Sequence, residues 1–347
     1  MRIRALLAVT ALLFPLAACS SAAPLAEKGP DEARSEEATP ATDASEEEIS
    51  SRGGVQVVVS VDWEGRDLDP ANLQAMVSFR AAMPEVRIVQ FLNAAYFTKP
   101  GANSADLKTK IRSTLLPTDE LGLHIHGWKR LFEASGVTFR TTPNFWGTNE
   151  LSNDCAFDCG HEVPISAYDE PELEKVVKFS IATLESHGLG RAKSFRAGGW
   201  MARENVRQAL VANGITWDSS AVPQPFLSQE LRGLPILEWL GELWSGTNAA
   251  SQPYRIATPA GTLNEVPDNG ALADYVTAEE MVTVFQQAKE RYLQNKAVPQ
   301  VVSLGFHQET AARYLPRLQD ALTRMNAIAK AEKIPMATVT TRSLRVR

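Results

Sequence analysis

Val55-Gln56-Val57-Val58-Val59-Ser60-Val61-Asp62 decides the fold class. Valines at 55, 57, 58, 59 and 61 leave neither face of an extended segment polar, so the stretch reads as a strand buried on both sides. Strands of that kind belong to parallel sheets covered by helices. Outward from it the chain alternates. Asp69 caps a helix over Pro70 to Ala82, with Leu73, Met76, Val77 and Arg80 at helical spacing. Val86 to Leu92 is a second predicted strand, Ala105 to Leu115 a helix, and Leu121 to His126 a third strand. A long segment rich in Asn, Gly, Pro and aromatics runs from Trp128 to Glu170, and insertions of that length usually form lids or binding loops. Leu173, Val176, Val177, Ile181 and Leu184 then mark one face of an amphipathic helix.

The alternation resumes with strands over Ala192 to Arg196, Ile215 to Ser219, Leu263 to Val266, Gln300 to Phe306 and Met336 to Thr341. Helices are expected over Arg203 to Asn213, Glu279 to Asn295 and Ala311 to Ala331. Residues 54–347 are long for a doubly wound sheet and comfortable for one α/β barrel. The expected fold is α/β, a parallel sheet closed or nearly closed into a barrel.

The N-terminus is a different material. Arg2 and Arg4 precede an uncharged, mostly apolar run from Ala5 to Ala18, too short to span a bilayer, which reads as a secretory signal over residues 1–18. It ends Leu16-Ala17-Ala18-Cys19, which resembles the lipobox of bacterial lipoproteins. Cys19 is then the lipidated first mature residue; an ordinary signal peptide cut after Ala18 is the alternative. Ser20 after the cysteine resembles lipoproteins sent to an outer membrane. Residues 19–53 are rich in Ala, Ser, Glu, Pro and Thr, and carry nine acidic against three basic residues. That linker alone has as large a net charge as the whole chain, −6. The part from Gly54 on is therefore close to neutral, which leaves no electrostatic case for nucleic-acid binding. Export with a lipid anchor as the only membrane attachment places the domain in the periplasm or outside the cell. With Cys19 lipidated, Cys155 and Cys159 form an even pair in an oxidising compartment. A local disulfide and a zinc knuckle with His161 are both open to them.

Reactive side chains collect at the carboxyl ends of the predicted strands. Asp62 and Glu64 end the first, His124 and His126 the third, and His307 the seventh; Arg196, Asp218 and Asp268 fall on or after the strands between. Barrels of this kind build their active sites on that face. His124 and His126 lie two apart on a strand and leave the same face, as do Asp62 and Glu64. Two imidazoles and one carboxylate with an open position form the ligand set of a catalytic zinc site. A second carboxylate beside them can take a proton from the attacking water, and His307 across the barrel can protonate a leaving group.

These residues resemble the polysaccharide deacetylase family of carbohydrate esterases. The pieces are Val59-Ser60-Val61-Asp62-Trp63-Glu64-Gly65, Glu120-Leu121-Gly122-Leu123-His124-Ile125-His126, Phe195-Arg196-Ala197-Gly198-Gly199-Trp200 and Gly305-Phe306-His307, spread over Val55 to His307. The resemblance implies a distorted (β/α)7-8 barrel that uses a divalent metal to remove acetyl groups from N- or O-acetylated sugars. It makes Asp62 the base, Glu64 the metal carboxylate, Arg196 the group that orients the base and His307 the acid. The usual first motif has adjacent aspartates, where this chain has Asp-Trp-Glu. The usual second motif is His-x-x-x-His, and here Trp128 stands where the second histidine would be. The second imidazole is therefore His126, or comes from elsewhere, such as His161. Trp128, Trp200 and Asp268 are candidate substrate contacts, and Asp218 a supporting hydrogen-bonding group. Gln308 and Glu309 open a helix and need no functional role. Two other readings compete: a glycan-binding lipoprotein without turnover, and a glycoside hydrolase using Asp62 and Glu64. The second is weaker, because carboxylates about 6–7 Å apart at Cα on one strand cannot flank a glycosidic bond.

Overall fold

The computed structural model describes residues 53–346. The signal segment, Cys19 and the linker up to Arg52 lie outside the described residues. β1 (Val55–Asp62) is buried along its whole length, as its valine run requires. β8 (Gln300–His307) pairs with it in parallel, Val55 opposite Gln300 through to Asp62 opposite His307. β2 (Ile88–Leu92) pairs with the C-terminal half of β1, and β9 (Met336–Val339) with the N-terminal half. Beyond β2 lie β3 (Glu120–Ile125), β4 (Ser194–Ala197) and β5 (Trp217–Asp218), all parallel. β7 (Gly261–Glu265) continues beside β5, and β6 (Tyr254–Thr258) forms the edge. The register alone sets Asp62 beside His307 and His124 beside Arg196.

Helices cover this sheet. They are α1 (Pro70–Ala82), α2 (Ser104–Arg112), α3 (Lys129–Ala134), α4 (Glu170–Ser186), α5 (Glu204–Ala212), α6 (Gln224–Leu227), α7 (Pro235–Leu243), α8 (Ala278–Gln294) and α9 (Ala311–Glu332). Their starts follow local chemistry. The Asp69 carboxylate accepts the N–H groups of Ala71 and Asn72 at the head of α1. Asp169 with Glu172, and Thr277 with Glu280, close reciprocal capping boxes on α4 and α8. The anticipated stripe on α4 (Leu173, Val176, Val177, Ile181, Leu184) is buried.

The sheet curls into a distorted barrel, and its last gap is closed by irregular backbone. Residues 268–273 lie against β8, with Gly270 N–H on Ser303 O (2.9 Å) and Ala273 N–H on Gly305 O (2.8 Å). The Asn269 side chain stands in for a strand peptide there. Its amide donates to Val301 O (2.9 Å) and its oxygen accepts from Ser303 N–H (2.8 Å). The wholly parallel expectation needs one correction, since β6 and β7 form an antiparallel hairpin. β6 is an edge strand with largely exposed side chains, so it lacks the apolar run that marks the buried strands. The two helices α6 and α7 also went unmarked in a stretch interrupted by Pro and Gly.

Candidate active site

Glu64 follows β1 on a short loop whose path is fixed from two sides. Its backbone carbonyl accepts the Trp128 indole N–H (2.7 Å) and the Asn93 side-chain amide (3.1 Å). Gly65 has φ +84°, and a Cβ there would lie 2.8 Å from Asn93 and 2.9 Å from Trp128, so only glycine lets this loop close. The Glu64 carboxylate then reaches His126 Nε2 at 2.7 Å and His124 Nε2 at 3.3 Å.

The tautomers of both imidazoles are set behind them. His124 Nδ1 lies 2.8 Å from Arg196 O, and His126 Nδ1 lies 2.7 Å from His161 O. A peptide carbonyl can only accept, so each Nδ1 carries the proton and each neutral ring turns an Nε2 lone pair toward Glu64. His124 Nε2 is buried without a hydrogen-bond partner. Lone pairs facing a carboxylate repel it unless the rings are protonated or a cation sits among them. A carbonyl on Nδ1 with Nε2 free is also the usual support of a metal-ligating histidine. Ligand atoms of Glu64, His124 and His126 all fall within 4.8 Å of one another. The donor set therefore fits one divalent ion. Burial opposes the charge on Glu64, but His126 and then His307 outweigh it and hold the carboxyl well below the usual range. Burial likewise opposes protonation of His126, and Glu64 reverses that and raises it.

Asp62 sits beside this group and is held by a different partner. Arg196 Nη1 donates to Asp62 Oδ1 (3.1 Å) and to Ser60 Oγ (2.9 Å). The guanidinium is fully buried and is fixed further by Ser219, through the carbonyl and the hydroxyl, both at 2.8 Å. Asp268 Oδ1 lies 3.5 Å from Arg196 Nη2, and its other oxygen accepts the Trp200 indole N–H at 3.2 Å. One buried cation between two carboxylates accounts for its place in the core.

On the opposite side, His307 Nε2 lies 3.5 Å from Glu64 Oε1, and Nδ1 lies 3.2 Å from Asp274 Oδ1. Asp274 also accepts the His307 backbone N–H (3.2 Å) and the Thr310 hydroxyl. Burial would lower the His307 imidazole, but Asp274 and then Glu64 lift it to about 10. The reading of strand ends missed Asp274. It follows the irregular segment that closes the barrel, where no strand pattern announces an end; the acidic residue inside Ala271-Leu272-Ala273-Asp274-Tyr275-Val276 was the available signal.

Asp62, Glu64, His124, His126 and His307 all line one cavity of about 210 Å³. Phe145 and Trp146 from the long insertion, with Leu231 and Ile236, give it apolar walls that the sequence did not disclose. Trp200 also lines it, adopts φ +56° and stacks edge-on with Tyr275. Two expectations change here. Asp268 is 0% exposed, so it is no substrate contact; it holds Arg196 and Trp200. Trp128 is 1% exposed and does not line this cavity; it stands behind His161, ring centres 5.3 Å apart, and offers a sugar there none of its face. Asp218 does support, at one remove. It accepts from Ser220 Oγ (2.6 Å), whose oxygen in turn holds the Ala197 N–H (3.0 Å). Cys155 and Cys159 are bonded to each other, so the zinc-knuckle alternative is not formed. His161 Nδ1 meets Asn153 (2.9 Å) and Glu162 (3.1 Å), but among the described residues the ligand atoms that gather with those of Glu64 and His124 are His126's and not His161's, which favours His126 as the second imidazole. Among the described residues no helix is long and apolar enough to cross a membrane.

No family model matches the chain, and no curated protein matches it. Solved structures do. A Mycobacterium smegmatis protein designated a polysaccharide deacetylase is similar at 13% identity and a TM-score of 0.45, over 83% of this chain and 94% of that one. The family 4 carbohydrate esterase of Streptomyces lividans, solved with acetate, is similar at 9% identity and a TM-score of 0.37, over 83% and 91%. A CE4 family pseudoenzyme from Bacillus anthracis is similar at 10% identity and a TM-score of 0.38, over 84% and 65%. Likeness of this degree concerns the path of the backbone; the chemistry is carried by the side chains at the strand ends.

Proposed function

We propose that this protein is a metal-dependent hydrolase that removes acetyl groups from an N- or O-acetylated glycan of the cell envelope or its surroundings. The observation that carries the reading is the convergence of two carbonyl-fixed imidazole lone pairs on Glu64, between an arginine-held aspartate and an aspartate-held histidine. Glu64, His124 and His126 would hold the ion, with zinc the best match to two nitrogens and one carboxylate. When bound, such an ion supplies Lewis acidity, polarising the acyl carbonyl and lowering the pKa of water.

The chain's own residues supply the proton transfers. Asp62, kept in place by Arg196, takes the proton from the attacking water. His307 turns Nε2 toward the cavity because Asp274 occupies Nδ1, and from there it gives a proton to the departing nitrogen or oxygen. Asp62 and Glu64 approach from one strand end, which disfavours a glycosidase in which carboxylates flank the bond. The departures from the usual motifs, which motivated a reading without turnover, cost the site no ligand, since His126 reaches Glu64. A lipid on Cys19 and export from the cytoplasm, with residues 19–53 as tether to a domain over 54–347, would keep the hydrolase near an envelope glycan. The test is acetate release from a panel of acetylated glycans, with Asp62→Asn as control. Release that falls in Asp62→Asn by about 10²–10⁴-fold supports the reading. Release by neither protein removes it in favour of a binding protein.

A further inference from the structure

Beside the catalytic cavity lies a second cleft of about 320 Å³ whose wall includes Trp128. The two spaces share a partition: His161 lines the first, Trp128 lines the second, and their rings stack. The stacked rings make the two spaces neighbours. Phe157 stands at its mouth, 54% exposed. A single exposed phenylalanine needs no explanation by itself. The backbone that carries this one is fixed at several points. It lies in the loop closed by Cys155 and Cys159, and the Arg130 side chain donates to the carbonyls of Cys155, Ala156 and Phe157. An apolar ring is thus presented to water on backbone that cannot fold it away.

Polar groups of both kinds surround that ring. Lys99 Nζ lies 5.8 Å from the Phe157 ring centre and 4.9 Å from that of Trp128, and it donates to the Arg66 carbonyl. Asp158 is 3% exposed, and its Oδ1 is committed to the N–H groups of Arg130 (3.1 Å) and Cys159 (3.0 Å). Its Oδ2 has no hydrogen-bond partner, which leaves a buried acceptor unsatisfied in the wall of the cleft. Asn153, Asp67 and Asp154 complete the rim. An aromatic face with interspersed donors and acceptors matches a sugar ring, apolar on its C–H face and hydroxylated at its edge. Three carboxylates against Arg66 and Lys99 give a phosphorylated or uronic polymer no favourable field.

We infer that this cleft binds the uncharged sugar ring adjacent to the acetylated one, with Phe157 as its stacking platform; the inference rests on the glycan reading above. Binding of N-acetylglucosamine and O-acetylxylose oligomers, from monomer to hexamer, to the purified full chain tests it by calorimetry. In the wild type, affinity within at least one series should rise about tenfold with length, the worth of one aromatic stacking contact. Phe157→Ala should abolish that rise and Phe157→Trp should keep it. Acetate release from the shortest substrate should be the same in Phe157→Ala as in wild type. Length dependence that survives Phe157→Ala, or is absent from every series in the wild type, would overturn the cleft, as would tighter binding of polygalacturonate oligomers. Should no substrate release acetate, the hydrolase reading falls alone, because calorimetry still decides the cleft.

Discussion

Asp274→Asn separates proton delivery from metal binding more cleanly than any ligand variant. The carboxylate serves three donors at once: His307 Nδ1 at 3.2 Å, the His307 backbone N–H at 3.2 Å and the Thr310 hydroxyl. An asparagine of the same shape has one accepting oxygen and one donating nitrogen. With its oxygen on Nδ1 it sets an N–H against the His307 backbone N–H. With the amide reversed it sets an N–H against Nδ1 and forbids the proton there. Either way His307 loses the negative partner that lets it carry a second proton, and with it the acid form. General acid catalysis is worth about 10²–10⁴-fold, so kcat on a glycan amide or alkyl ester should fall by that factor. Asp274 is no ligand of the proposed ion, so metal content should stay at the wild-type value. The decisive assay compares leaving groups. Hydrolysis of 4-nitrophenyl acetate, whose phenolate departs without a proton, should fall much less than hydrolysis of the glycan. Equal losses on both substrates, or loss of metal, would refute the role given to His307 and Asp274.

Gly198→Ala places a Cβ 2.6 Å from the His126 ring, so it should weaken zinc affinity about 10–100-fold in a chelator competition without unfolding the barrel; unchanged affinity would contradict His126 as a ligand. Asp218 and Glu265 are register partners, both fully buried, and burial raises both carboxyls. A carboxyl raised in the folded state contributes stability at low pH that is lost as pH rises through its folded value. The Tm should therefore fall as pH rises above the ordinary carboxyl range, and Glu265→Gln should flatten that fall; an unaltered slope would contradict the pairing. Cys19→Ala should carry no label after growth with labelled palmitate, and label on that variant would remove the lipoprotein reading.

The legible parts of this molecule are those where one physical requirement dominates a short stretch. A strand buried on both faces must be apolar throughout, so β1 and β8 stand out, and the polar residues that break the pattern at their ends, Asp62 and His307, stand out with them. Period-two spacing placed His124 and His126 on one face, and the structure brings both to Glu64 although His126 lies just beyond β3. A capping residue marked the start of α1, and an apolar stripe marked the buried face of α4. What escaped depends on contacts remote in sequence. β6 takes its order from β7 and carries little burial of its own. Asp274 gains its role from β8, reached through an irregular segment. Asp268 looked available after a strand end, yet Arg196 and Trp200 consume both of its oxygens.

The central claim is that Glu64, His124 and His126 hold a catalytic divalent ion, and metal content measures it most directly. Purified protein should carry about one zinc or equivalent ion per chain. Glu64→Ala and His124→Ala should each lose it while keeping wild-type circular dichroism, because the barrel supports the ligands and does not depend on them. His126→Ala should lose it as well, and His161→Ala should retain it. Wild-type protein that takes up no ion from excess zinc, or Glu64→Ala and His124→Ala variants that hold a full equivalent, would contradict the account.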